Sequence, residues 1–245
     1  MRAESYSLMD LIYSFGPTVI GALTTFAIAS YCWNKFRAAS FIVIIWFSLA
    51  VIVSQFSFFP ASNDDGPNNI FGFLAFGTLA FGPAVVLILL AHRSSKMKDF
   101  LSSISSSVLI FTQVYRIGGV FLILAFVRGD LPAEVGLVSG LMDVLVAITA
   151  LVSSGYLRND SAKYPRLIVA WAIFSLIDFS WVTLIKFATF FGVLSIAPAP
   201  VMLGNPPLLI ISLFALPLGI FVSVYLIIRV SKDLSLPNNG FKRSY

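Results

Sequence analysis

Charge is scarce in this chain of 245 residues: 11% are Asp, Glu, Lys or Arg, and 58% are hydrophobic. A soluble domain carries about 25% charge and about 45–50% apolar residues, so a water-soluble fold and an extended disordered segment are both excluded. Thiol and imidazole are scarcer still. The only cysteine, Cys32, has no partner for an internal disulfide, and the only histidine, His92, leaves no bis-His haem pair and no His-rich metal site. Neither a Walker lysine loop nor H-E-x-x-H, G-x-S-x-G or a paired aspartate-rich prenyl-binding motif occurs, so the usual sequence handles of a membrane enzyme are missing. No cofactor and no metal is expected. The net charge of +5 reads as basic cytoplasmic loops rather than a surface for nucleic acid, for which no patch is found.

What the chain has instead is long apolar runs, and a mean hydropathy of +0.94. A helix needs roughly 20 apolar residues to cross a bilayer. Runs bounded by charged or Pro/Asn/Gly-rich breaks predict spans at 9–33, 40–60, 70–91, 102–127, 134–157, 166–193 and 206–228. The expected fold is all-α: a polytopic bundle of seven transmembrane helices forming a single domain over 1–245, with no break long enough for a second one. Met1 to Asp10 carries Arg2, Glu4 and Asp10, with no small-residue cleavage site behind it, and reads as the lead into the first span rather than a removable signal.

Basic residues sort by loop. Lys35, Arg37, Arg93, Lys96, Lys98, Arg158, Lys163, Arg166, Arg229, Lys232, Lys242 and Arg243 fall on one side of a bundle of seven, and only Arg2 and Arg128 on the other. Positive charge near span ends stays in the cytoplasm, so the N-terminus is expected outside and the C-terminus inside, in a plasma membrane. Pro83 and Pro217 fall inside spans, where each removes a backbone donor and predicts a kink. The serines of Ser102 to Ser107 are expected at the interface, capping a helix or bonding back to it. His92, Asp64 and Asp65 read as solvated loop residues.

Polar side chains within the apolar runs carry the functional signal. They are Gln55, Gln113, Arg116, Asp143, Asp178 and Lys186. At ~1.5 Å per residue, Arg116, Asp143 and Asp178 each lie near the middle of their predicted span, whereas Lys186 stands ~12 Å from Asp178 toward the outside. Each charge at mid-bilayer costs roughly 2.5–3.5 kcal/mol on the lenient insertion scale, so all three must face inward. Gly136, Gly140, Asp143, Ala147, Ala150 and Ser154 recur at spacings of four and three, and the rest of that face is small. Such a face lets helices approach closely, with Asp143 projecting from the contact. Gln113, Arg116 and Gly119 share a face of the preceding span. An arginine fork that bridges Asp143 and Asp178, with Gln113 adding a hydrogen bond, is the arrangement these positions predict.

The stretch Gln113-Val-Tyr-Arg116-Ile-Gly-Gly119, then Leu131-Pro132, Gly140-Leu-Met-Asp143, Trp171 and Asp178, resembles a group of uncharacterised bacterial multi-spanning membrane proteins with a Q-x2-R-x2-G, L-P, G-x2-D pattern. The likeness covers the fourth to sixth spans, with a weaker echo in Pro207 to Pro217. It implies that the Gln/Arg/Asp/Asp set is a hallmark of the group, and it supplies no activity. A histidine usual in the group's last helix has no counterpart here.

The functional expectation is translocation of a small solute, ion or proton through a mid-membrane site made of Arg116, Asp143, Asp178, Gln113 and Lys186. The expected surroundings are the lipid bilayer and the solute or ion itself. Two other classes fit the same residues. A receptor or assembly partner would use the charges as a packing staple, and a lipid-modifying enzyme would need a carboxylate reachable from the interface.

Overall fold

The computed structural model describes residues 8–56, 70–158 and 164–235. Among them there is no strand. The helices are α1 (Leu8–Trp33), α2 (Arg37–Val53), α3 (Ile70–Arg93), α4 (Ser95–Ser103), α5 (Ser106–Phe111), α6 (Gly119–Val127), α7 (Ala133–Leu157), α8 (Pro165–Phe190) and α9 (Leu216–Ser235). A 3-10 segment, Thr112–Gly118, joins α5 to α6, and a π-helical turn, Ile211–Ala215, leads into α9. Six helical stretches are long and apolar enough to cross a membrane: Leu8–Trp33, Ile70–Arg93, Ser106–Val127, Ala133–Leu157, Pro165–Phe190 and Ile211–Ser231.

The second predicted span is shorter than expected. Helix α2 has 17 residues and ends at Val53 rather than at 60. Ser54 Oγ donates to the Val51 carbonyl at 2.8 Å and Gln55 Nε2 to the same carbonyl at 3.2 Å, local bonds that compete with the next helical turn. Gln55 is therefore an exposed turn residue and not part of α2. The Asp64/Asp65 loop that follows lies outside the described residues. His92 belongs to the last turn of α3 rather than to a loop, and is exposed.

The fourth predicted span is not one helix from 102 to 127. Its first residues close α4, an amphipathic helix that buries Met97, Phe100 and Leu101 and exposes Lys96 and Lys98. Extended backbone at Ile104 and Ser105 breaks the chain, and the Ser105 hydroxyl caps the next helix by accepting from Val108 N at 3.3 Å. Ser102 and Ser103 bond back to the carbonyls of Asp99 and Phe100, at 2.8 and 2.7 Å. Capping and back-bonding, expected for this serine run, thus end one helix and start another.

Pro217 perturbs its helix as its chemistry requires. A proline has no N–H, so the carbonyl four residues back, at Leu213, loses its helical donor. The indole Nε1 of Trp46, on α2, donates to that oxygen at 3.1 Å. The widened turn over Ile211–Ala215 lies directly N-terminal to the proline.

Large apolar side chains cover the outside: Phe71 is 83% exposed and Phe26 73%, while Arg116 and Asp178 are buried. This reverses the soluble arrangement and is that of a helical bundle with hydrocarbon as its solvent. At one end Arg128, after α6, binds Asp10 of α1 at 2.6 Å, and Phe73 of α3 stacks on Phe190 of α8 at 4.0 Å. At the other end Arg229 of α9 donates to the Ile104 carbonyl at 2.6 Å.

Candidate functional site at mid-bundle

Arg116 sits on the 3-10 segment between α5 and α6. That geometry has three residues per turn, which stacks Gln113, Arg116 and Gly119 above one another on a single inward face. Arg116 Nε donates to Asp143 Oδ1 at 2.5 Å, Nη1 to Ser175 Oγ at 2.6 Å, and Nη2 to Asp178 Oδ2. One fork therefore bridges carboxylates from α7 and α8, as the sequence predicts.

Backbone closeness makes the bridge short. A Cβ added at Gly119 would fall on the Cβ of Asp143 and 2.6 Å from the Gly140 carbonyl oxygen; one at Gly140 would lie 2.8 Å from the Gly119 oxygen. The two glycines let α6 and α7 meet main chain to main chain, the contact that the small face of α7 implies. Gly219 of α9 plays a like part for Phe179, because a Cβ there would fall on the edge of the ring. Phe179 in turn lies under the guanidinium, 4.0 Å from Cζ to the ring centroid, a buried cation–π contact.

Serines complete the site. Ser139 Oγ donates to Asp178 Oδ1 at 2.6 Å, and Ser223 Oγ of α9 donates to Ser175 Oγ at 3.0 Å. Sequence reasoning missed Ser139, Ser175 and Ser223. A signal for two of them existed, since Ser139 precedes Asp143 by four and Ser175 precedes Asp178 by three, the helical same-face spacings. Ser223 had none, because it acts from another helix.

Gln113 is fully buried but does not join the carboxylates. Its Nε2 donates to Thr112 Oγ1 at 3.5 Å and its Oε1 lies 3.4 Å from Tyr115 Oη, whose single proton goes to the Ala215 carbonyl at 2.6 Å. The expected bond from Gln113 to the Arg/Asp set is therefore not made; Gln113 lies beside Tyr115, whose bond to Ala215 ties the 3-10 segment to the π turn. Lys186 also stands apart. Its Nζ lies 3.3 Å from the centroid of the Phe76 ring on α3, beside a small separate cavity of about 30 Å³.

A cavity of about 70 Å³ touches Arg116, Asp143, Asp178 and Ser139, and is closed by α1 and the residues around the π turn. That is room for a few waters or one small ion, and not for an extended organic substrate. Val182, Leu203, Ser212 and Leu216 wall both this cavity and the one beside Lys186. Of the three charged side chains Asp143 is the least enclosed, 12% exposed against 1% each for Arg116 and Asp178. The formal charge of the set is one cation against two anions.

Fold and site together define a helical membrane protein with a buried, one-arginine, two-aspartate centre beside a small cavity. The chain belongs to the family described as Domain of unknown function (DUF8737), which matches residues 73–231, from α3 into α9. Arg116, Asp143, Asp178 and their three serines all fall within that match, and α1 and α2 fall outside it. No curated protein and no solved structure matches the chain.

Proposed function

We propose that this protein moves a proton or a small monovalent cation across a membrane through the Arg116/Asp143/Asp178 centre. The observation that carries the reading is charge balance: two buried carboxylates share a single guanidinium, so the centre is one positive charge short of neutral beside a cavity of about 70 Å³. An uncompensated charge in a low-dielectric interior is costly, and a proton or small cation taken up at Asp143 relieves it. Irregular helix on both sides of the cavity supports movement. A 3-10 run within a helix and a π turn are each a common mark of a hinge or functional site, and here they are joined by the bond from Tyr115 to Ala215.

Seven crossings, with the N-terminus outside and the C-terminus in the cytoplasm of a bacterial inner membrane, are part of the same proposal. Cys32 at the end of α1 and Met97 of α4 line one cavity, whereas the start of α3 packs on the end of α8. Between Trp33 and Ile70 the chain therefore goes from one end of the bundle to the other, and the 17 residues of α2 supply ~25 Å of that path. Membership of the uncharacterised bacterial group with the Q-x2-R-x2-G pattern belongs to this reading as well. The packing of Gly119 on Gly140 favours the rival, in which the charges only lock two helices together.

Water access separates the two. Ser212 walls both the central cavity and the one beside Lys186. A Ser212→Cys variant in a Cys32→Ala background, sealed in vesicles, is expected to react with a small charged thiol reagent from at least one face. A folded variant that reacts from neither face leaves the centre dry and removes the transport reading.

A further inference from the structure

A second cavity, about 500 Å³, lies between α1, α2, α4, α5, the 3-10 segment and α9. It shares only Ile20 and Tyr115 with the walls of the central cavity. Leu23, Ile42 and Phe111 line it and are also exposed on the bundle's outer surface, so it opens sideways among the lipid-facing residues. Water is a poor occupant, because a buried water needs two to four polar partners. The hydroxyls here are already engaged: Thr24 donates to the Ile20 carbonyl at 2.8 Å, Thr112 to that of Leu109 at 2.6 Å, and Tyr115 to that of Ala215 at 2.6 Å. Hydrocarbon fits this lining.

One cation touches the cavity wall and three more stand near wall residues in the chain. Tyr31, another wall residue, accepts a hydrogen bond from Lys35 Nζ at 2.9 Å, and the ammonium also lies 4.5 Å from the ring centroid. Arg37 opens α2, whose Ala39 and Trp46 line the cavity; Lys96 and Lys98 flank Met97, which lines it from α4. Over residues 31–46 and 94–104 these four cations face one acid, Asp99. An amphipathic helix with an apolar inner face and lysines outward, as α4 is, belongs at the headgroup level.

We propose that this cavity holds an acyl chain of an anionic phospholipid, its phosphate held by Lys35, Arg37, Lys96 and Lys98. The site is independent of the charged centre and of what that centre transports. Cys32, the only cysteine in the chain, lines the cavity and reports on it.

The test uses the full chain in nanodiscs of phosphatidylcholine alone or with increasing phosphatidylglycerol, and follows alkylation of Cys32 by a bilayer-permeant maleimide. Phosphatidylglycerol is expected to slow the reaction in the native protein. A Lys35→Gln, Arg37→Gln, Lys96→Gln or Lys98→Gln substitution should raise the phosphatidylglycerol fraction needed for half-protection by about fivefold per cation removed. Native mass spectrometry adds a readout that does not depend on those variants: one retained phosphatidylglycerol, displaced by filling the cavity with Ala39→Phe. Equal reaction rates in the two lipids, or slowing that persists unchanged without the cations, overturns the proposal. So does protection that tracks protein concentration, which would give the groove to a second copy of the chain.

Discussion

Removing Arg116 should do more damage than its single position suggests. Its fork makes side-chain bonds to Asp143, Asp178 and Ser175, and the Phe179 ring covers its face. In Arg116→Ala two carboxylates are left together without a countercharge. Asp178 retains only its bond from Ser139 among those described, and at 1% side-chain exposure it gains little from the water that the cavity beside both carboxylates can hold; Asp143, at 12%, gains more. Breaking a buried pair costs ~3–5 kcal/mol, and the relief at one of two carboxylates places this case within that range rather than beyond it. For a chain of this length that is a melting temperature lower by about 6–20 °C. The assay is the monodisperse fraction after heating in nanodiscs. Arg116→Lys should fall in between, since an ammonium keeps the charge but cannot reach three partners in a plane. The triple variant Arg116→Met/Asp143→Asn/Asp178→Asn should be more stable than Arg116→Ala, because nothing charged remains unpaired. Arg116→Ala melting within about 2 °C of the native protein would refute the reasoning.

Two further substitutions test the packing around the centre. Gly119→Ala puts a methyl group onto the Gly140 carbonyl and the Asp143 Cβ, neither of which can turn away, and should cost about 1–3 kcal/mol, read as a lower melting temperature. Trp46→Phe strips the Leu213 carbonyl of its donor and should cost ~1–3 kcal/mol; in a Pro217→Ala background, where a backbone N–H returns to that carbonyl, the same change should cost clearly less. An equal cost in both backgrounds would break the link between the proline and the indole.

The helix ends were legible where the chain punctuates itself. Charged or Pro-rich breaks set α1, α3, α7 and α8 to within a few residues, because the apolar length needed to cross a bilayer leaves little freedom. Local polar chemistry limited the reading elsewhere. Ser105 caps a new helix inside a run whose hydropathy alone reads as continuous, and Ser54 helps end α2 early. The pairing of Arg116 with Asp143 and Asp178 followed from depth, since three charges at one level in hydrocarbon have to meet. Gln113 shares the Arg116 face but lies beside Tyr115, whose hydroxyl bonds to Ala215 in the π turn, which no periodicity in the sequence announces. Lys186 stands about two helical turns beyond Asp178, too far to join the centre, and its Nζ lies over an aromatic ring on α3.

Ion flux tests the central claim most directly. Proteoliposomes carrying the full chain, with an imposed membrane potential and an internal indicator for protons, sodium or potassium in separate arms, should take up one of these cations above the level of protein-free vesicles. Asp143→Asn and Asp178→Asn, each shown to remain folded by its melting curve, should reduce that uptake to background. Uptake unchanged in the folded Asp143→Asn/Asp178→Asn protein, or no uptake of any of the three cations by the native one, would contradict the account and leave Arg116 and its two aspartates as a staple between helices.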